Sequence, residues 1–247
     1  MKKSICKGFI RLLDSIVNVS ILTFFLIISG YGMYVLWDSA QVYEAADFRQ
    51  YEVYHPQKGD GSSFQNLEEI NREILGWITV YDTHIDYPFA QADDNDKYVN
   101  TDIEGNYSLG GSIFLDCRNK NDFSDEVSIL YGHHMAKRTM FGDIEQFQKQ
   151  EYLDTHTKGN LYYGGKDHEI EFFAFLKADA YDEKIYNPKL QKEDREAYLQ
   201  EIYGKAACIR QIEIGEEEQL VLLSTCTSET TNGRYILVGK VERDYPS

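Results

Sequence analysis

Apolar positions along the chain fall into two regimes. From Ile16 to Trp37 there is no charged side chain, and apolar residues crowd every face, as in the run Ile21-Leu22-Thr23-Phe24-Phe25-Leu26-Ile27-Ile28. As a helix these residues reach roughly 33 Å, enough to cross the ~30 Å hydrocarbon layer of a bilayer. Tyr31, Tyr34 and Trp37 fall where an interfacial aromatic belt would lie. A cleaved signal peptide would have a shorter apolar core and a small-x-small site, for which Ser29-Gly30-Tyr31 is a poor match. A buried core helix would not be apolar on all sides at a chain terminus. The pattern predicts a single-pass anchor over 16–37.

Beyond the anchor, the pattern breaks into short elements. Residues 38–55 are polar and aromatic, a helical continuation or stalk, and Pro56-Gln57-Lys58-Gly59-Asp60-Gly61-Ser62-Ser63 reads as a linker rich in turn formers. Leu67, Ile70 and Ile74 recur at helical spacing behind a Ser63 cap, predicting a helix that ends near Gly76. Short apolar segments follow at 77–81, 84–89, 111–115, 127–131, 160–163, 169–177, 208–214, 219–225 and 234–241. This spacing predicts a sandwich or barrel rather than alternating β-α units. Phe141, Ile144 and Phe147 predict a short helix over 141–149. A longer helix is predicted from an Asn187 cap and Pro188, with Leu190, Tyr198, Leu199, Ile202 and Tyr203 as its apolar stripe and Gly204 as its stop.

Charge adds a direction. The 247 residues carry a net −16, with 25 basic against 41 acidic side chains. That balance excludes a typical nucleic-acid binder, which needs a basic footprint. Lys2, Lys3, Lys7 and Arg11 precede the apolar run, and Asp38, Glu44 and Asp47 follow it. By the positive-inside rule the N-terminus is cytoplasmic and the remainder is exported. Four cysteines are too few and scattered for a disulfide scaffold, and no C-x-x-C pair indicates zinc.

The chemistry gathers at strand ends. Gln219-Leu220-Val221-Leu222-Leu223-Ser224-Thr225-Cys226 ends in a thiol; seven residues later Arg234-Tyr235-Ile236-Leu237-Val238 opens another β-rich run. A hairpin would set Cys226 beside Arg234, where a cation lowers the cost of a thiolate. Taken alone, a buried inert cysteine and a solvated arginine explain these residues as well. A base is available at the end of Val127-Ser128-Ile129-Leu130-Tyr131-Gly132-His133-His134. Neighbouring side chains on a strand face opposite ways, so one of the two histidines can face a given site. Surface histidines or metal ligands are the alternatives, and adjacent histidines chelate poorly on a strand.

Gly132-His133, Leu223-Ser224-Thr225-Cys226 and Arg234 together resemble the sortases, membrane-anchored cysteine transpeptidases of Gram-positive bacteria. Gly76-Trp77-Ile78, His84-Ile85-Asp86-Tyr87-Pro88, Gln91, Asp94-Asn95, Tyr98 and Gly111-Ser112-Ile113-Phe114-Leu115-Asp116 extend the likeness. Tyr131-Gly132-His133-His134-Met135, Met140-Phe141-Gly142-Asp143 and the helix from Pro188 to Tyr203 resemble class B in particular. The likeness covers roughly residues 65–243. Leu222 stands where the family often has threonine, Cys117 where tyrosine is common, and Ser228 where some relatives carry a carboxylate, so no fourth catalytic member is carried over.

The resemblance implies a mainly β (α+β) fold: a closed eight-stranded sortase-type barrel with N-terminal helices and a helix before the cysteine-bearing strand, preceded by one transmembrane helix. It implies a cytoplasmic 1–15, an anchor at 16–37, a stalk at 38–64 and an extracellular catalytic domain at 65–247. Cys226 would be the nucleophile, His133 the general acid and base (His134 the fallback), and Arg234 the oxyanion or substrate stabiliser. Asn95, Tyr131 and Ser224 would line the substrate groove, while Cys6, Cys117 and Cys208 would be inert. The expected partners are surface proteins with a C-terminal Pro-x-Thr sorting signal, a peptidoglycan amine and the membrane, with no nucleic acid, cofactor or metal. A pilin-polymerising sortase using a lysine acceptor differs only in its second substrate. A papain-like hydrolase would place cysteine before histidine, the reverse of the order here. A non-enzymatic anchored β-domain would leave the histidine–cysteine–arginine order as coincidence.

Overall fold

The computed structural model describes residues 2–57, 61–227 and 229–242, with side chains in the first helix from Lys7 to Glu44. Residues 58–60 of the predicted linker, Ser228 and the Cys6 side chain lie outside this description. The chain divides into two compact units, Met1–Glu44 and Ala45–Ser247. The first is helical: α1 runs Lys2–Ala45, and its apolar side chains, Phe24, Leu26 and Ile27 among them, are exposed. It is the one helix among the described residues long and apolar enough to cross a membrane.

The second unit is a closed barrel. Its strands are β1 (Ile74–Val80), β2 (Asp86–Ala90), β3 (Ile113–Leu115), β4 (Val127–Tyr131), β5 (Lys158–Tyr163), β6 (Lys166–Asp179), β7 (Ala206–Ile209), β8 (Glu218–Cys226) and β9 (Gly233–Glu242). The order β5-β1-β2-β3-β4-β8-β9-β6 closes through β5–β6, so eight strands form the ring. The ninth, β7, pairs with β6 over Ala174–Leu176. Closure leaves the ring no free edge to template aggregation. Two neighbours are parallel, β2–β3 and β4–β8, and the other pairs in the ring are antiparallel.

Two cores explain why β8 reads as an unbroken apolar run rather than an alternating one. Val221 and Leu223 join the cluster inside the barrel with Trp77, Phe89 and Leu237. Leu220 and Leu222 face the other way, into a second cluster with Ile129, Val238, Tyr198 and Ile202. Fully burying each such side chain contributes about 1.5–3 kcal/mol. The second cluster is covered by α4 (Arg195–Lys205) and by the connection carrying Ile185, Tyr186 and Leu190.

Several sequence expectations need correction. The helix expected from Ser63 to near Gly76 is α2 (Ser62–Ile70), and Ile74 and Gly76 belong to β1. Asn71 is extended and its side chain bonds the Ile103 carbonyl and the Glu73 N–H, which ends the helix early. Ser63 does not cap it; its hydroxyl donates to the His55 carbonyl at 2.9 Å. The helix expected from Pro188 begins only at Arg195, because Ile185, Tyr186 and Leu190 are pulled into the second core and Gln191 is extended. Gly204 does not stop it. The 141–149 segment is 3-10 helix over Gly142–Gln148, followed by α3 (Gln150–Thr155). The strand expected over 208–214 is β7, ending at Ile209.

Candidate active site

The parallel pair β4–β8 explains how distant residues meet. Parallel strands end at the same edge, so Tyr131-Gly132-His133 and Ser224-Thr225-Cys226 leave the barrel side by side, with Tyr131 opposite Ser224. Two bonds fasten these ends: Gly132 N–H donates to the Ser224 carbonyl at 3.1 Å, and Thr225 Oγ1 donates to the Gly132 carbonyl at 2.7 Å. Gly132 is required by space, since a Cβ there would lie 2.4 Å from Ile113 Cδ1 and 2.8 Å from Phe141 Cδ2. Strand β9 is antiparallel to β8, so it starts where β8 ends, and Cys226 pairs with Arg234. The period of two puts Cys226 on the face of Ser224, and Arg234 on the face of Ile236.

These ends frame a cleft of about 530 Å³. Its lining includes all six residues singled out from the sequence: His133, Cys226, Arg234, Asn95, Tyr131 and Ser224. Cys226 is exposed, whereas Cys208 is buried and Cys117 half-buried. The Cys208 thiol lies against the Gln148 carbonyl and burial pushes its pKa up; burial and the neighbouring Asp116 do the same to Cys117. Arg234 Nη1 donates to the Gly233 carbonyl at 2.9 Å, which leaves other guanidinium N–H groups for the cleft.

The two histidines lie beyond the end of β4 at Tyr131 and part there. His133 Nε2 lies 2.8 Å from the Val99 carbonyl. A carbonyl only accepts, so neutral His133 carries its proton on Nε2 and presents the Nδ1 lone pair. His134 does not line the cleft: its Nε2 lies 3.0 Å from Glu145 Oε2. The fallback base is therefore engaged elsewhere.

A buried carboxylate holds two residues of the cleft lining, Arg118 and Tyr131. Asp116 accepts from Arg118 Nε at 2.9 Å, Arg118 Nη2 at 2.7 Å and the Tyr131 hydroxyl at 2.8 Å. Burial alone would raise its pKa, but these donors outweigh it and hold the carboxyl below the usual range. Burial, reinforced by Asp116, pushes the Tyr131 phenol well above its ordinary value. Asn95 Oδ1 accepts the Cys117 N–H at 2.8 Å, fixing the amide at the cleft. Tyr186 and Ser224 share a 2.8 Å hydroxyl–hydroxyl bond. Burial pushes Tyr186 up to about 12, while Ser224 and Arg234 act in the opposite sense.

Sequence reasoning missed Arg118 and Tyr186, which also line the cleft. Arg118 was signalled by its two-residue spacing from Asp116, which permits the bidentate pair. Tyr186 had no local signal, because it sits in an irregular connection read as the start of a helix.

Comparisons with known proteins fit this geometry. No protein-family model matches the chain. The chain is 31% identical over 179 residues to Sortase B of Listeria monocytogenes serovar 1/2a, covering 72% of this chain and 73% of the relative. A crystal structure of sortase B from the type II pilus of Streptococcus pneumoniae superposes with a TM-score of 0.64 at 42% identity, over 73% of this chain and 99% of the other. A mutant form of Clostridium perfringens sortase B gives a TM-score of 0.74 at 31% identity, over 80% and 97%.

Proposed function

The chain belongs to the class B sortases, a family of cysteine transpeptidases, and on that premise we propose that it cleaves a C-terminal Pro-x-Thr sorting signal through a thioacyl intermediate on Cys226. The carried protein then passes to an amine of cell-wall peptidoglycan. One observation carries this reading: His133, Cys226 and Arg234, from three strand ends, line one cleft.

In this mechanism the Cys226 sulfur attacks the threonine carbonyl and the scissile C–N bond breaks. His133 Nδ1 carries the proton from the thiol to the departing amine, and later takes one from the incoming amine. Arg234 holds the oxyanion, whose charge appears only near the transition state. Asn95, Tyr131 and Ser224 contact the peptide in the groove, with Tyr131 braced by Asp116. No metal or cofactor enters any step. Residues 1–15 lie in the cytoplasm and 16–37 cross the bilayer; the stalk expected over 38–64 is shorter than that, since the compact unit begins at Ala45 and buries Ala46, Tyr51 and Phe64 in its core, and this unit acts outside the cell.

Incubating the full chain with a peptide containing a Pro-x-Thr core is expected to give a mass adduct on Cys226 and none in Cys226→Ala. An adduct that persists in Cys226→Ala overturns the assignment. A second reading, with a pilin lysine as the acceptor, is favoured by the 42% identity to a sortase B from a pilus. It leaves the acylation half unchanged.

A further inference from the structure

Tyr87 lies in β2, inside the segment from His84 to Pro88 that the sequence sets apart, and takes no part in the chemistry above. Its ring is buried, and its hydroxyl sits between two distant parts of the chain. It donates to the Ala46 carbonyl at 3.0 Å and accepts the Met140 N–H at 2.9 Å. We propose that Tyr87 is a positioning residue for His133: its hydroxyl lets the segment that follows α1 hold the loop carrying the general acid and base. The proposal rests on the transpeptidase reading above and adds a requirement for its rate.

The loop needs holding. Beyond β4 the chain turns back on itself, and Lys137, Arg138 and Met140 take left-handed φ values of 59°, 62° and 53°. A residue with a Cβ adopts that region at a cost, and keeps it only where its neighbours over-determine it. Met140 is the residue whose N–H Tyr87 binds. From there the path to the site is short: Met140 pairs with His134 in an antiparallel bridge, and Phe141 N–H donates to the His133 carbonyl at 3.0 Å. The returning strand of the loop is fixed further on by Asp143. Its Oδ2 accepts the His84 N–H at 2.7 Å and lies 2.8 Å from His84 Nδ1.

The other half of the link is the segment after α1. Ala46 is the first residue beyond that helix and is buried. Phe48 packs edge-on against Tyr87 and His84, with ring centroids 6.3 and 6.2 Å apart, and Tyr51 is buried in the same core. A tyrosine hydroxyl has one proton to give, and Tyr87 gives it to Ala46. Without the hydroxyl, a buried carbonyl and the N–H of a strained, buried residue both lose their partner. His133 then keeps its bond to Val99 but loses the backbone support that sets where Nδ1 points.

The test gives full-length chain in detergent a Pro-x-Thr peptide and, separately, iodoacetamide, whose alkylation of Cys226 is followed by mass across pH. Tyr87→Phe keeps the ring and removes the hydroxyl. Its kcat is expected to fall about tenfold while KM stays within about twofold, because a displaced catalytic group loses rate and the groove residues Asn95 and Ser224 lie on other elements. The midpoint of Cys226 alkylation is expected to move up by about half a pH unit, since an imidazolium beside the sulfur favours the thiolate. Phe48→Ala leaves every hydrogen bond of the link in place and loosens only its seat. About a threefold loss of kcat is expected there, with the midpoint moving the same way, and this variant carries the test alone should Tyr87→Phe not fold. In the double variant the loss is expected to match Tyr87→Phe alone, as for two residues acting through one contact. A lower Tm with wild-type kcat and alkylation midpoint makes Tyr87 purely structural and overturns the proposal. Losses that multiply in the double variant overturn it as well, because the segment then acts by another route. Absence of an acyl-enzyme in the wild type overturns the transpeptidase reading instead; the alkylation profile needs no peptide and still tests the coupling of Tyr87 to the site.

Discussion

Cys226 and Cys208 separate a reactive thiol from a structural one. Cys226 is exposed at a strand end beside Arg234, whereas burial raises the Cys208 thiol and holds it against the Gln148 carbonyl. Cys208→Ala is therefore expected to keep most of the peptide-cleavage rate that Cys226→Ala loses, measured with a quenched fluorescent peptide; equal losses would refute a single nucleophile. Arg234→Lys is expected to lower kcat by about a hundredfold, since a point charge does not reproduce a guanidinium fork already anchored at Gly233. Near-normal turnover would remove the oxyanion role. At this scale the cysteine was legible because strand alternation is rigid: Ser224 predicts the face of Cys226, both being in β8, whereas His133 follows the end of β4 and is placed by its bond to the Val99 carbonyl. Val99, whose carbonyl sets the His133 tautomer, acts through its backbone and so leaves no mark on side-chain chemistry.

Elements were legible where one physical force shaped them and obscure where two competed. Strand β4 is recovered residue for residue, because an apolar run between turns has one way to bury itself. The segment before α4 satisfies a helical pattern, but the second core claims Tyr186 and Leu190 first. The parallel pairing of β4 with β8, which creates the site, follows from chain topology rather than from either segment. The 3-10 turn Phe48–Tyr54 raises a separate question of attachment. His55, which follows it, packs edge-on to Trp77 and lies 3.2 Å from Asp86, which also accepts from Trp77 Nε1 and Thr79 Oγ1. The Asp86 bond raises the pKa of His55 above its ordinary 6.5, with Asp86 and Asp167 adding charge and burial opposing. Burial would raise Asp86, but the bonds from His55, Trp77 and Thr79 hold it below its ordinary 3.8. A raised histidine stabilises the fold fully below its unfolded value and loses that contribution as pH rises through the folded one. The lowered carboxylate contributes above its unfolded value and loses it as pH falls. The Tm gap between wild type and His55→Gln is thus expected to be larger at about pH 5.5 than at about pH 8.5. A gap independent of pH would show that His55 acts only through packing.

For the whole molecule, the uneven charge and the exposed apolar helix make one topological argument. Isolated in water, α1 would expose Phe24, Phe25, Leu26 and Ile27 together, far more apolar surface than a soluble monomer displays. A bilayer would remove that cost, and in the proposed topology Lys2, Lys3, Lys7 and Arg11 on one flank would set the orientation by the positive-inside rule. The same orientation is a chemical requirement of the proposed reaction, since a cell-wall amine is met only outside the membrane. The cysteines report it directly, because Cys6 precedes the apolar run and Cys226 lies beyond it at the cleft mouth. A membrane-impermeant maleimide applied to intact cells is expected to label Cys226 and to reach Cys6 only after permeabilisation. Labelling of Cys6 in intact cells would invert the topology. Recovery of the protein from the medium without Cys6 would replace the anchor with a cleaved leader. Either result would leave the cleft and its chemistry intact while removing the reason they face the wall.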